Sequence, residues 1–332
     1  MQIDSLLKKA RNNERLTHCE ITGLLSLPPA APGAFQVLAA AREISSRLCD
    51  NQAEVHAQFA VNLAPCSKNC MFCSFAARNG IFKTGTRISP EEAVGAALSF
   101  EQNGANAIYL MSTADFDEDE FLEYGREVRK NLRTDTVLVA NVGDRDEAGA
   151  LKLRDAGFNG VYHALRLREG NDSDINSERR IRSVRAFREA GLIVGTCVEP
   201  VGPEHTNDEL ADLILFTADQ QPAFSGAARR ITIPGTSLAA RGMISELRMA
   251  QIVAVTRLAV PHEVKGNCTH EPCAIGALAG ANLFWAESGA NPRDVKEKTE
   301  EGRGHTLTSC AAIFHEADWD VQPGPSLFFG PR

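Results

Sequence analysis

The chain lacks any run of about eighteen consecutive apolar residues, which excludes a helix long enough to span a bilayer. It also lacks a secretion signal: Leu6-Leu7-Lys8-Lys9-Ala10-Arg11 is amphipathic, without the apolar core of a signal peptide. Positive charge is not in excess. With 35 Lys and Arg against 43 Asp and Glu, the net charge of −8 argues against a nucleic-acid groove. A glycine-rich dinucleotide fingerprint, a long linker and low-complexity segments are all missing. Cysteine is not scarce. Nine cysteines, an odd number with no export signal, speak against a disulfide framework and for a reducing, cytoplasmic compartment. The 332 residues, 43% of them hydrophobic, suffice for one large domain or two small ones.

Three of the cysteines are closely spaced. Cys66, Cys70 and Cys73 form a Cys-x3-Cys-x2-Cys run in Ala-Pro-Cys-Ser-Lys-Asn-Cys-Met-Phe-Cys-Ser-Phe (64–75). Three thiolates cannot close a tetrahedral zinc site without a fourth ligand, but they suit a cubane iron–sulfur cluster with one open iron. A structural zinc knuckle or three unrelated buried thiols are the plainer alternatives. The run comes directly after Val55-His56-Ala57-Gln58-Phe59-Ala60-Val61-Asn62-Leu63, whose alternation reads as a strand.

Residues 1–53 read as a helical extension that caps the remainder of the fold, with Leu6, Leu7, Ala10, Ile21, Leu24 and Leu25 ahead of Pro28-Pro29 and then Ala34 to Leu48. Strands are predicted at 55–63, 106–111, 136–140, 159–163, 192–198, 229–233, 260–265 and 281–285. Helices are predicted at 90–103, 118–132, 145–156, 176–190, 207–219, 244–258 and 272–279. Ser89-Pro90-Glu91-Glu92 carries an N-cap, a proline at the first helical position and early carboxylates. Asn103-Gly104, Ala156-Gly157 and Ala190-Gly191 place glycine just past a helix. The alternation predicts an α/β fold, a (β/α)8 TIM-type barrel over 54–290, with a C-terminal helix and tail over 291–332 that packs on it. An open doubly wound sheet is the other arrangement weighed. In a barrel, function gathers at the C-terminal ends of the strands, where the cysteine loop, Ser112-Thr113, Asn141, His163 and Glu199 fall.

The cysteine run, with Phe72 just before its third member, resembles the signature of the radical S-adenosylmethionine (SAM) enzymes. The resemblance implies a 4Fe–4S cluster held by Cys66, Cys70 and Cys73, its open iron chelating SAM, and one-electron cleavage to a 5'-deoxyadenosyl radical. It also implies that Phe72 packs near the adenine. Beyond the run, Val161–Leu165, Phe187–Leu192, Val201–Glu204, Ile233–Ala239, Val255–Pro261 and Ala277–Asn282 resemble segments of the biotin-synthase-like group. The departures are equally informative. The positions of the second-cluster cysteines of biotin synthases fall near Met111, near Asn141 and at Gly195, and none is cysteine; Cys197 lies two residues beyond the last. Residues recognising dethiobiotin in that family correspond to Ala164 and Arg166. Biotin synthase activity is therefore not expected.

Other cysteines are candidates for an auxiliary 4Fe–4S cluster: Cys268 and Cys273 in Gly266-Asn267-Cys268-Thr269-His270-Glu271-Pro272-Cys273, with Cys310 and a fourth ligand from His270, His305 or Ser309. The alternative makes all three packing residues, with Cys310, Ile313 and Phe314 on one helix face. Cys19 and Cys49 read as buried thiols in the extension. The family implies that Ser112 and Thr113 bind the SAM amino group, and Arg166 and Arg168 its carboxylate, unless they form a solvated run with Glu169. Asn141 is a candidate for ribose or substrate, and Glu199 for ribose hydroxyls or a substrate amine. His163 is either a hydrogen-bonded barrel residue or a ligand, Glu204-His205-Thr206 a helix cap, and Arg257 faces the cavity or pairs with an acid such as Glu263.

The resemblance implies sulfur insertion into an unactivated C–H bond, as in the two-component lipoyl synthases with their octanoyl substrate. The alternatives are a radical enzyme that inserts no sulfur, such as a methylornithine-synthase-like mutase or a hydrogenase-cofactor maturase, and a non-catalytic iron–sulfur carrier. Expected partners are a small-molecule or carrier-protein-bound acyl substrate, an electron donor such as flavodoxin or ferredoxin, and a companion radical SAM protein.

Overall fold

The computed structural model describes residues 2–330. Eight parallel strands form its centre: β1 Gln52–Ala60, β2 Ala107–Met111, β3 Val137–Asn141, β4 Gly160–Tyr162, β5 in two pieces (Ile193–Gly195 and Val198–Val201), β6 Phe224–Arg229, β7 Gly266–Cys268 and β8 Leu283–Ser288. The ring closes where β8 pairs with β1 from Glu54↔Leu283 to Phe59↔Ser288. At β5 it stays closed because one strand changes partner. The first piece pairs with β4 and the second with β6, and the break falls at Thr196-Cys197. The fold is the expected (β/α)8 barrel, not an open sheet.

Two strands lie away from their expected positions. The sixth is Phe224–Arg229 rather than 229–233, and the seventh is Gly266–Cys268 rather than 260–265. Ile231-Thr232-Ile233 alternates like a strand, but Ile231 and Ile233 line the cavity above the barrel. The true sixth strand, Phe-Ser-Gly-Ala-Ala-Arg, has weak intrinsic preference and is held by its neighbours' ladders.

Helices clothe the barrel: α1 Ile3–Arg11, α2 His18–Leu25, α3 Pro32–Leu48, α4 Pro90–Gln102, α5 Glu118–Asn131, α6 Glu147–Asp155, α7 Ser177–Glu189, α8 Asn207–Gln220, α9 Glu246–Ala259, α10 Ala274–Leu278 and α11 Leu307–His315. Ser89 and Thr206 close capping boxes with Glu92 and Glu209. The N-terminal helices lie on the flank instead of covering an end. The α3 helix packs along α9, and its Ser45 Oγ donates to the Gly280 carbonyl at 2.7 Å. It stands where α10, only five residues long, leaves the β7–β8 side thinly covered. No helix among the described residues is long and apolar enough to cross a membrane.

Alternation divides each strand between two cores. Val55, Ala57, Phe59, Ile108 and Leu110 face the helices, while Tyr109, Tyr162, Phe224 and Trp285 fill the interior. The tail seals the bottom of the barrel. Asn106 Nδ2 donates to the Gln322 and Gly324 carbonyls, and buried Glu54 accepts from Ser326 Oγ and Leu327 N–H. Phe328 and Phe329 then enter among His56, Tyr109 and Phe224. Gly160 makes room for them, since a Cβ there would lie 2.5 Å from the Phe329 ring. Closed below, the barrel opens at the C-terminal ends of its strands.

Candidate active site

The cysteine loop rises from the top of β1 and folds on itself. Cys66 N–H donates to the Phe75 carbonyl at 2.6 Å, Ala77 N–H returns to the Cys66 carbonyl at 3.0 Å, and Cys73 N–H reaches the Cys70 carbonyl at 3.1 Å. Asn79 staples the turn: its Nδ2 donates to the Cys73 carbonyl at 2.8 Å and the Cys70 carbonyl at 3.2 Å, and its Oδ1 accepts from Ser237 N–H and Oγ. Neighbouring loops hold the whole in place, through Ser67 N–H to Asp115, Met71 N–H to the Asp172 carbonyl and Ser74 N–H to the Pro292 carbonyl.

Cys66, Cys70 and Cys73 all face one cavity at the mouth of the barrel. Burial pushes the Cys66 thiol up, Cys70 up to about 11 and Cys73 up to about 12. Deprotonated, they need a cation, which an iron cluster provides; Arg166 acts in the same direction on Cys70 and Cys73. The opposite wall fits SAM. Ser112 Oγ lines the cavity, is buried and has no partner among the described residues, so a donor or acceptor remains for a ligand. Thr113, beside it, is already engaged: Asn62 Nδ2 donates to its hydroxyl, and its N–H donates to Asn62 Oδ1, both at 3.0 Å. Phe72 also lines the cavity, and Asn141 joins it from β3 by donating to Gln58 Oε1 at 3.0 Å.

Residues 65–217 match the Radical SAM superfamily model. The chain is 25% identical over 260 residues to the biotin synthase of Myxococcus xanthus, covering 72% of this chain and 73% of that one. It is 29% identical over 219 residues to the FeFe hydrogenase maturase subunit HydE of Thermotoga maritima, covering 63% and 61%. The chain belongs to the radical SAM superfamily, in its biotin-synthase-like group. Solved structures share the fold. Methylornithine synthase (PylB) superposes with a TM-score of 0.80 over 97% of this chain and 98% of that one at 18% identity. The maturase HydG of Carboxydothermus hydrogenoformans gives 0.79 over 96% and 79%, also at 18%.

In this radical SAM barrel the other candidates separate. Arg166 and Glu199 meet inside the cavity, Nε to Oε1 at 3.4 Å. Burial would lower the Arg166 pKa, but Glu199 and Glu169 outweigh it and hold the guanidinium charged. Arg168 does not enter. It takes a positive φ, turns outward and binds Glu209 at 2.7 Å and the Glu204 carbonyl, so it is not a carboxylate clamp for SAM. His163 is a wall residue between Asp144, at 3.0 Å, and Arg180; burial and Arg180 push it down to about 3, leaving it neutral. Arg257 neither faces the cavity nor pairs with Glu263. It lies wholly buried and donates to the Val260, Pro261 and Val264 carbonyls just past α9. Thr206 is the N-cap of α8, and Glu204 pairs with Arg230.

The auxiliary trio is not brought together. Cys268 points into the barrel, and Cys310 lies outside the wall behind Phe284, donating to the Trp285 carbonyl. Cys273 is the N-cap of α10, with its sulfur by Gly276. Inward and outward side chains of a strand wall cannot share one cluster. His305, near Ser309, sits with Cys310 on that outer side. Cys49 is only half-buried, its thiol pushed up by desolvation to about 11, and Cys19 is exposed, contrary to expectation.

Sequence reasoning missed Asn79, Gln58, Tyr162 and Arg293. The first has no motif. Gln58 and Tyr162 are visible only as inward positions of strands. Arg293, which binds Glu271 and Glu287 and lines the cavity, comes from the loop after β8.

Proposed function

We propose that this radical SAM enzyme abstracts hydrogen from a small, polar, amino-acid-like substrate and inserts no sulfur. The observation that carries this reading is the Arg166–Glu199 ion pair inside the cavity, with side chains 24% and 13% exposed. Held at Cys66, Cys70 and Cys73, a 4Fe–4S cluster with SAM supplies a 5'-deoxyadenosyl radical. The chain's own groups do the rest. Ser112 would receive the SAM amino group, Arg166 beside the cysteines would face its carboxylate, and Phe72 would lie against its adenine. Below them Gln58, Asn141, Tyr162, Glu199 and His270 form a polar chamber, with Glu199 placed to hold a substrate ammonium group. An octanoyl chain there offers no polar group to the buried Arg166–Glu199 pair, whose remaining hydrogen-bonding positions it would desolvate at a cost of about 1–3 kcal/mol.

The test is anaerobic turnover with SAM and reductant, using deuterated amino acids in one set and a deuterated octanoyl-carrier protein in the other. Deuterium in 5'-deoxyadenosine from an amino acid supports the reading; transfer only from the octanoyl chain refutes it. Sulfur insertion is the second reading. It draws on the biotin synthases among the relatives and on a pair of thiols beside the chamber. A product heavier by one sulfur would establish it.

A further inference from the structure

Next to Tyr162 and His270, which line the chamber, lie two thiols, Cys197 and Cys268, both fully buried, with sulfurs 3.3 Å apart. They come from β5 and β7, with β6 between. Two such strands meet inside a barrel only if the inward position of the middle strand is empty at that level. That position is Gly226, between inward Phe224 and Ala228. Its φ of +124° suits glycine, and a Cβ there would lie 2.2 Å from the Cys268 carbonyl oxygen. His270, two residues beyond Cys268, completes the group: one ring nitrogen and the two sulfurs all lie within 4.8 Å of one another.

We propose that Cys197, Cys268 and His270 bind one borderline divalent cation, zinc or ferrous iron, distinct from the cluster at Cys66, Cys70 and Cys73. Two thiolates and an imidazole are the donors such ions prefer. On binding, the two thiol protons leave to solvent, and two thiolate charges neutralise the ion. The site is then neutral, as burial among Tyr162, Phe224 and Trp285 requires. Two thiolates on one tetrahedral zinc stand about 3.8 Å apart, so the pair opens by about 0.5 Å. A disulfide would require it to close by about 1.2 Å. The imidazole is fixed for the task. Trp285 stacks on it at 4.4 Å with planes 11° apart, and Tyr162 OH lies 3.2 Å from Nε2. His270 also lines the cavity together with Glu199, whose Oε2 is 3.9 Å from Nε2, so a fourth ligand would come from that side. A bound metal there offers a Lewis-acid contact to a substrate oxygen, nitrogen or sulfur. This site stands whether or not the polar-substrate reading holds.

The test uses the full chain with its cluster reconstituted anaerobically, then titrated with Co2+ and, separately, Zn2+. The expected result is one cobalt per chain beyond the cluster iron, with thiolate-to-cobalt charge-transfer absorption and tetrahedral visible bands, displaced by one zinc. Cys197→Ser and His270→Ala should abolish those bands with cluster iron unchanged, while Cys310→Ser should retain them. Wild-type protein that takes up no cobalt beyond the cluster overturns the proposal without recourse to any variant. So does binding that survives Cys197→Ser, or a loss of two titratable thiols with no metal taken up. Acid-labile sulfide that disappears with Cys197 and Cys268 also overturns the single-ion assignment, and turns the site into a sulfur source instead.

Discussion

Asn79 is the staple of the cysteine loop, and removing it should release the cluster without unfolding the barrel. Its amide makes four hydrogen bonds, two donated to the Cys70 and Cys73 carbonyls and two accepted from Ser237. Asn79 is only half-buried, so each bond falls at the low end of the usual range, near 0.5 kcal/mol, and Asn79→Ala costs the loop about 2 kcal/mol. If that energy holds the closed loop against an open one that sheds iron, the variant should lose iron about 30-fold faster. Ser237→Ala removes only the hydroxyl bond and keeps the backbone N–H bond, about 0.5 kcal/mol, and should accelerate loss about 2-fold. The assay is the first-order rate of iron transfer to a chelator under anaerobic conditions. A general loss of stability is separated by Phe329→Ala, which weakens the opposite end of the barrel and should leave the iron-release rate at the wild-type value. Release from Asn79→Ala within twofold of wild type would refute the staple, and equal acceleration by Phe329→Ala would show that iron loss tracks global opening.

Three further outcomes are expected. Phe329→Ala, which removes a ring only 6% exposed from the plug, should cost about 3–5 kcal/mol in urea unfolding, whereas Leu327→Ala, at a side chain 59% exposed, should stay within about 0.5 kcal/mol. Burial alone would raise the Glu287 pKa, but Arg293 and Arg303 outweigh it and hold it at about 2. A depressed carboxylate stabilises the fold fully above its unfolded value of 4.5 and loses that contribution as pH falls toward 2. Cluster-free Glu287→Gln should therefore be less stable than wild type at pH 7, with the gap closing between pH 4.5 and 2; a gap that does not change over that range counts against the ion-pair network. Arg257→Met, which strips three buried carbonyls of their donor, should cost about 3 kcal/mol in unfolding yet leave 5'-deoxyadenosine formation per folded molecule unchanged; a selective loss of turnover would return that arginine to the cavity.

How much could be read from the sequence depends on how local each signal is. The cysteine spacing, the caps at Ser89 and Thr206 and the helix-then-glycine joints act within a few residues, and each holds its expected place. The sixth strand does not announce itself, because a segment made of Phe-Ser-Gly-Ala-Ala-Arg becomes a strand only once β5 and β7 lie beside it. Arg257 misled for a related reason. Its position resembles a cavity-facing arginine, yet the turn of α9 directs it to the carbonyls just beyond the helix.

The cysteines show where local reading ends. Cys268 and Cys273 are neighbours in sequence and suggest a shared ligand set, but a strand and a helix cap send their sulfurs in different directions. The partner of Cys197 lies 71 residues away, beyond the reach of any local spacing. Three facts together create the pair: inward alternation on β5, inward alternation on β7, and a glycine on β6 at the same level. None of these is visible in a spacing. All emerge once the barrel closes, because closure places inward residues of alternate strands in one layer. A glycine inside a barrel strand between two such positions is thus a readable sign of contact across it, and substituting Gly226 with alanine should part the two sulfurs more surely than any change at the cysteine loop.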